Sequence, residues 1–266
     1  MKQVIFRIRN NEALTRDVYR MDVEGDVSAV TAPGQFVNIR LEGKYLRRPI
    51  SVCDRTQQGL TLIYKTVGAG TQQMSQMLPG QELDILTGLG NGYDLTKSGD
   101  RPLLIGGGVG IPPLYWLCRE LTAQGKDPVV ILGFNRKEEV FFEEQFRELT
   151  GNVLVMTADG SYGNKGFVTD GMQLLGSGST SSEENSREGN VQTRTGSPNY
   201  SYIYTCGPMP MFRAINQIAE TSGQFSFEER MGCGFGACMG CSCKTVTGYK
   251  RICKDGPVLE REEILW

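Results

Sequence analysis

Four cysteines and four glycines fall within the thirteen residues from Met231 to Cys243, and a fifth cysteine, Cys253, follows shortly after. Cys233, Cys238 and Cys241 are spaced C-x4-C-x2-C and Cys253 supplies a distant fourth thiol, the pattern with which thiolates close on the two irons of a [2Fe–2S] cluster. Glycine suits such a loop, because a backbone curling round inorganic sulfide needs φ > 0 and must bring its amides close. A structural zinc site also takes four thiolates, but it usually pairs two short knuckles, and only Cys238 to Cys241 is one here. A disulfide staple is a further alternative, which a chain of 266 residues does not need in order to bury a core. Cys243 stands close enough to Cys241 to take its place after a small shift of the loop.

The chain has no histidine. A Ser-His-Asp triad, a Cys-His dyad, a His-ligated zinc enzyme and a Rieske cluster are thereby excluded, and the chemistry falls to bound cofactors. A net charge of −2 gives no electrostatic reason to expect nucleic acid or an anionic membrane as partner. Met1 to Asn11 reads as neither a signal peptide nor an anchor, and no run of 18 apolar residues occurs. Eight cysteines without an export signal are expected in a reducing compartment, the cytoplasm.

A cysteine loop of this kind works only beside a group that exchanges electrons with it, and the rest of the chain divides into elements suited to that. From Val4 to about Leu86 short alternating segments recur: Val4 to Ile8, Tyr19 to Val23, Gln35 to Leu41, Ile50 to Cys53 and Leu60 to Val67. Turn residues separate them, which predicts a small antiparallel β-barrel over 1–99. Within it Arg47 and Arg48 precede Pro49-Ile50-Ser51, and guanidinium forks suit phosphate oxygens. Val67-Gly68-Ala69-Gly70-Thr71 ends a strand and opens a helical stretch through Met77.

A second composition begins at Arg101, and residues 100–223 are predicted to form a doubly wound parallel α/β domain. A strand at Pro102 to Ile105 runs into Gly106-Gly107-Gly108-Val109-Gly110, and a helix starts at Ile111-Pro112-Pro113 and reaches about Gln124. Strands at Val129 to Phe134 and Asn152 to Thr157 flank a helix expected over Glu138 to Leu149. A last strand carries Cys206-Gly207-Pro208 and leads into a helix over Phe212 to Glu220. Residues 176–199 are too polar to bury surface and are expected to form a flexible insertion without chemical role. The cysteine loop then occupies its own small domain, 224–266.

Arg48-Pro49-Ile50-Ser51 resembles the Arg-x-Tyr-Ser motif of the flavin-binding barrel in the ferredoxin-NADP reductase family, with Ile50 in place of the tyrosine that stacks on the flavin. The Gly106 to Pro113 loop and Cys206-Gly207-Pro208 are similar to that family's two nicotinamide-side signatures, and Asp159 to Gly163 resembles a segment at the rim of its nucleotide site. The resemblance implies flavin contacts from Arg48, Pro49, Ile50, Ser51, Lys65, Gly70 and Thr71. It implies nicotinamide contacts from Gly107, Gly108, Gly110, Cys206 and Gly207, with Cys206 beside the hydride-transfer face; by residue type alone an inert buried thiol at a strand end is the favoured reading of Cys206.

Barrel, nucleotide sheet and C-terminal cysteine loop, in that order, resemble the electron-transfer subunits of NAD-dependent (type B) dihydroorotate dehydrogenase over essentially the whole chain. The residues that carry this are Glu228 to Gly234, Cys238 to Lys244 and Tyr249 to Leu259. The resemblance implies FAD, a [2Fe–2S] cluster on Cys233, Cys238, Cys241 and Cys253, and NAD as substrate. Its implied partner is an FMN-containing catalytic subunit, two of each chain forming a heterotetramer for pyrimidine biosynthesis. Cys243 then becomes a neighbour of the cluster. The same architecture is shared by small subunits of NADPH-linked ferredoxin oxidoreductases and sulfhydrogenases, and a zinc-stabilised nucleotide-binding module is the non-enzyme alternative. Arg136 and Lys137, after the second strand of the sheet, leave NAD against NADP open.

Overall fold

The structure, a computed structural model, describes residues 1–176 and 199–266; the insertion expected over 176–199 lies, but for its two end residues, outside them. Strands β1 (Lys2–Ala13), β2 (Val18–Glu24), β3 (Phe36–Ile39), β4 (Arg48–Arg55) and β5 (Gly59–Lys65) fall on the five alternating segments. Helix α1 (Ala69–Ser75) follows, and then a sixth strand, β6 (Glu82–Leu89), in which Leu83, Ile85, Thr87 and Leu89 alternate inward. Strand β6 pairs with both β3 and β1, so the order β1-β2-β5-β4-β3-β6 closes on itself and leaves no free edge. Phe6, Ile8, Met21, Val37, Ile39, Val52 and Leu62 fill the interior.

Beyond Gly90 to Lys97 comes the α/β half. Strand β7 (Leu103–Gly107), helix α2 (Pro112–Ala123), β8 (Val129–Phe134), helix α3 (Glu143–Leu149), β9 (Val153–Thr157), β10 (Asn164–Lys165) and helix α4 (Val168–Gly176) run outward from the centre of a sheet. The chain then returns to the other side of β7 with β11 (Ile203–Cys206), helix α5 (Met209–Ile218) and β12 (Gly223–Ser226). The sheet order is β10-β9-β8-β7-β11-β12, with a last antiparallel strand beyond β12. The direction of winding reverses between β7 and β11, and crevices at the carboxyl ends of strands at such a point are where doubly wound sheets bind ligands.

Two expectations change. The helix expected over Glu138 to Leu149 is broken: a 3-10 turn covers Lys137–Glu139 and α3 starts only at Glu143. Between them Phe141 and Phe142 turn inward, Phe142 at φ 65, and Phe142 meets Tyr115 edge-on at 5.2 Å. Burying two adjacent aromatic rings outweighs the cost of one left-handed residue. The helix expected from Phe212 begins at Met209 instead, with Pro208 as its cap.

The cysteine-bearing segment is tied to the sheet. Strand β12 straddles the boundary expected at 223/224. After the cysteine loop come the hairpin β13 (Ser242–Thr245) and β14 (Gly248–Arg251), and then β15 (Val258–Glu260), the sheet's antiparallel edge strand. Asn91, in the connection between barrel and sheet, accepts from the Val258 amide at 3.1 Å and donates to its carbonyl at 2.7 Å. Phe36 and Leu89 of the barrel share one buried core with Phe225, Cys241, Ile252 and Cys253.

Candidate functional site

The two arginines of the barrel motif part company. Arg47 grips Asp84 with both terminal nitrogens, at 2.9 and 3.1 Å. Partial burial alone would raise the Asp84 carboxyl, but the Arg47 hydrogen bonds and charge, with Gln3 and Arg40, hold it below its usual range. Arg47 is therefore structural. Arg48 instead lays its guanidinium across Gly70, where an added Cβ would stand 2.7 Å from Cζ and 2.8 Å from Nη2. The strand cation and the glycine turn are thus brought together.

Thr71 turns its hydroxyl back on its own turn, accepting from the Val67 amide at 3.0 Å and the Gly68 amide at 3.3 Å and donating to the Gly68 carbonyl. Lys65 ends β5 in a surface pair with Asp17 at 3.1 Å, an exposed contact of little strength. Pro49 needs no second strand partner: β4 meets β5 only from Val52 onward, so Arg48 to Ser51 pair with β3 alone. Opposite residues in that pairing share a face. Arg48 and Ile50 oppose Ile39 and Val37, both barrel-core residues, while Pro49 and Ser51 oppose Asn38 and Phe36, which look out toward the cysteine loop.

At the reversal of the sheet, three glycines let two loops touch. A Cβ on Gly107 would stand 2.7 Å from Met211 Sδ, one on Gly110 2.7 Å from Gly207 Cα, and one on Gly207 3.4 Å from the Gly107 nitrogen. Gly108 has φ +53 and open space before it. Cys206 ends β11 between Gly106 and Ser226. Burial pushes its thiol up to about 12, a hydrogen bond with Ser226 opposing. It is a neutral thiol at physiological pH and no nucleophile. Tyr93, buried beside it, donates to the Thr205 carbonyl at 3.1 Å.

In the cysteine loop the amides of Ala237 and Cys238 donate to Cys233 Sγ at 3.2 and 3.4 Å, and the Cys253 amide donates to Cys241 Sγ at 3.4 Å. Slight burial would raise the Cys233 thiol, but amide donors from Cys238, Phe235 and Ala237 bring it down to about 6. Cys253 goes the other way, up to about 12, through burial and the neighbouring Cys241 and Cys233.

Cys243 stands apart on β13 opposite Lys250, raised by burial and by Glu229. Among the described residues no three His, Cys, Asp or Glu side chains form a ready site for a single metal ion. Gly234 and Gly236, at φ +79 and +91, give the loop its curl. Arg251 braces it, donating to the Gly236 carbonyl at 2.9 Å while held by Asp255. From the barrel, Asn38 Nδ2 donates to the Cys233 carbonyl at 3.2 Å. Asn38, Tyr93 and Arg251 were not among the expected site residues; the one signal for Asn38 is a lone amide in the apolar strand Phe-Val-Asn-Ile.

A closed six-stranded barrel joined to a reversing nucleotide-type sheet, with a cysteine-rich segment behind them, defines a flavin-binding reductase fold of the ferredoxin-NADP reductase type. A solved structure described as an NADH-dependent reduced ferredoxin-NADP oxidoreductase, reported for flavin-based electron bifurcation, superimposes with TM-score 0.81 over 98% of this chain and 90% of its own, at 28% identity. Residues 228–265 match the iron-sulfur cluster binding domain of dihydroorotate dehydrogenase B. The electron transfer subunit of dihydroorotate dehydrogenase B (NAD(+)) from Fusobacterium nucleatum is 41% identical, with 94% of each chain covered. Its counterpart from a Geobacillus strain is 38% identical over 100% of this chain and 99% of its own. The chain belongs to this family of electron transfer subunits.

Proposed function

We propose that the chain holds FAD between the Arg48–Gly70 corner and the glycine groove at β7 and β11, and a [2Fe–2S] cluster on Cys233, Cys238, Cys241 and Cys253. Arg48, with the backbone at Gly70, takes the flavin phosphates; Pro49 and Ser51, with the backbone of Ile50 between them, line the ring, with Lys65 and Thr71 at the rim. Gly107, Gly108, Gly110 and Gly207 admit NAD, and the neutral Cys206 borders the nicotinamide without forming a bond to it. A flavin exchanges hydride with nicotinamide and single electrons with a cluster, which fits a site between a nucleotide groove and a thiol loop.

The partner is an FMN-containing dihydroorotate dehydrogenase catalytic subunit, two of each chain assembling in the cytoplasm. Oxidation of dihydroorotate to orotate there releases two electrons, which reduce NAD+ to NADH through this chain. Phe235, Met239, Val246 and Tyr249, large apolar side chains exposed around the cysteine loop, suit a surface that this partner covers. No histidine is present to act as base on dihydroorotate, in keeping with that chemistry belonging to the partner.

The observation that carries the reading is the convergence of backbone amides on two of the four thiols, those of Ala237 and Cys238 on Cys233 Sγ and that of Cys253 on Cys241 Sγ, in a loop hydrogen-bonded to the flavin-side strand β3. Two thiolates on each of two irons is what a [2Fe–2S] cluster takes. Anaerobic purification with cofactor analysis tests it. The isolated chain is expected to contain FAD, iron and sulfide and to oxidise NADH with an artificial acceptor without making orotate. Zinc alone, or orotate from the isolated chain, would refute it. The second reading, a reductase subunit for a ferredoxin-linked partner, rests on the 0.81 superposition and is separated by which partner co-purifies.

A further inference from the structure

Asn38 is 1% exposed, yet only one end of its amide is engaged. Nδ2 donates to the Cys233 carbonyl, while Oδ1 is buried without a hydrogen-bond partner. The orientation is enforced, because rotating the amide by half a turn would set Oδ1 against the Cys233 carbonyl, oxygen to oxygen. Nothing gives way on that side. A Cβ at Gly234 would overlap Nδ2, so the cysteine loop rests directly on this amide. A buried acceptor left unpaired costs roughly 1–3 kcal/mol, and the strand cannot relieve it, since the residue opposite Asn38 is Pro49, which has no N–H.

Asn38 also shares its face of the sheet with Pro49 and, one diagonal step away, with Ser51. That is the flavin-side motif on one flank and a cluster cysteine on the other. We infer that Asn38 is the positioning residue between the two redox groups: its Nδ2 fixes the Cys233 backbone, and its Oδ1 accepts a hydrogen bond from a ring N–H of the bound flavin. This rests on the cofactor reading above. A hydride from NADH leaves NAD+ and adds to the flavin ring an N–H that the oxidised ring lacks. An acceptor held beside that position therefore favours the reduced flavin, and the same side chain ties its location to the cluster loop.

The test uses the full chain purified anaerobically with its cofactors, as wild type, Asn38→Leu and Asn38→Ser. For Asn38→Leu the flavin midpoint potential should fall, and although that fall adds driving force toward the cluster, release of the Cys233 backbone from Nδ2 should slow the transfer of electrons from flavin to cluster at least tenfold after mixing with NADH. Hydride uptake by the flavin should slow together with that fall, because the acceptor for the N–H it creates is gone. If Asn38→Leu does not retain the cluster, the same flavin potential is compared in the Asn38→Ser protein and in wild type stripped of iron, with the same fall expected. An unchanged flavin potential in a variant with full FAD content overturns the inference. Wild-type protein without FAD and iron would instead overturn the cofactor reading on which it stands.

Discussion

The guanidinium of Arg48 lies across Gly70, so close that no side chain fits at position 70 without moving it. Gly70→Ala should therefore behave as a partial loss of Arg48: FAD retention falls about tenfold, the ~1.4 kcal/mol of one weakened charge-assisted contact, with little change in thermal unfolding of the flavin-free protein. Arg47→Ala should do the reverse. It leaves the largely buried Asp84 carboxylate with only Gln3 and Arg40 and should lower stability by about 2 kcal/mol with FAD affinity unchanged. Flavin titration and urea unfolding of the two variants separate the roles of neighbouring arginines.

Cys233, Cys238, Cys241 and Cys253 should not be interchangeable with Cys243. Cys233→Ser, Cys238→Ser, Cys241→Ser and Cys253→Ser are each expected to lose most of the bound iron and sulfide, whereas Cys243→Ser, altering a β13 side chain opposite Lys250, should keep them. Iron and sulfide analysis with the visible spectrum reads this directly. Loss of iron in Cys243→Ser equal to that in Cys241→Ser would show that the loop slides.

Much of this arrangement was legible locally. Five of six barrel strands, both glycine loops and the cysteine spacing follow from period and residue type over a few neighbours. What was not legible depends on partners far along the chain. Val258–Glu260 is three residues long and becomes a strand because β12 offers it an edge. Phe142 breaks a helical pattern because Tyr115, on another helix, rewards its burial. Asn38 meets Cys233 across 195 positions, a pairing for which no local pattern exists.

Acid should loosen the attachment of the cysteine segment through Glu260. Burial alone would raise its carboxyl, but hydrogen bonds from Lys97, Gln224 and Tyr202 bring it below its ordinary 4.5. A carboxyl depressed in the folded state contributes stability that is fully present above the unfolded value and is lost as pH falls through the folded one. The loss should begin at about pH 4.5 and continue below it. Glu260→Gln should be less stable than wild type at neutral pH and should lose less on acidification. Urea midpoints of both proteins between neutral pH and about pH 3 check the sign. A Glu260→Gln curve parallel to that of wild type would exclude it.

The choice of nicotinamide should be set by Glu139. The loop after β8 carries Arg136, a natural cation for a ribose 2′-phosphate, but Glu139 pairs with its Nε at 3.3 Å and accepts from Asn135 Nδ2 at 2.9 Å. The neighbouring Lys137 amide is taken by Ser161 Oγ at 2.8 Å, which draws the loop toward the Asp159 turn. A 2′-phosphate entering here would meet a carboxylate held beside the only arginine of the loop, whereas a free 2′-hydroxyl would find a hydrogen-bond acceptor. NADH is therefore expected over NADPH. Glu139→Gln keeps an oxygen acceptor and removes the charge, so the ratio of kcat/KM for NADPH to that for NADH should rise about fivefold, the ~1 kcal/mol of one exposed charge interaction. Steady-state diaphorase assays with both nucleotides measure the ratio, and salt should shrink the difference because the site is exposed. If Glu139→Gln leaves the ratio unchanged while Arg136→Ala lowers NADPH use, the cation already works unopposed and Glu139 serves only to hold the turn.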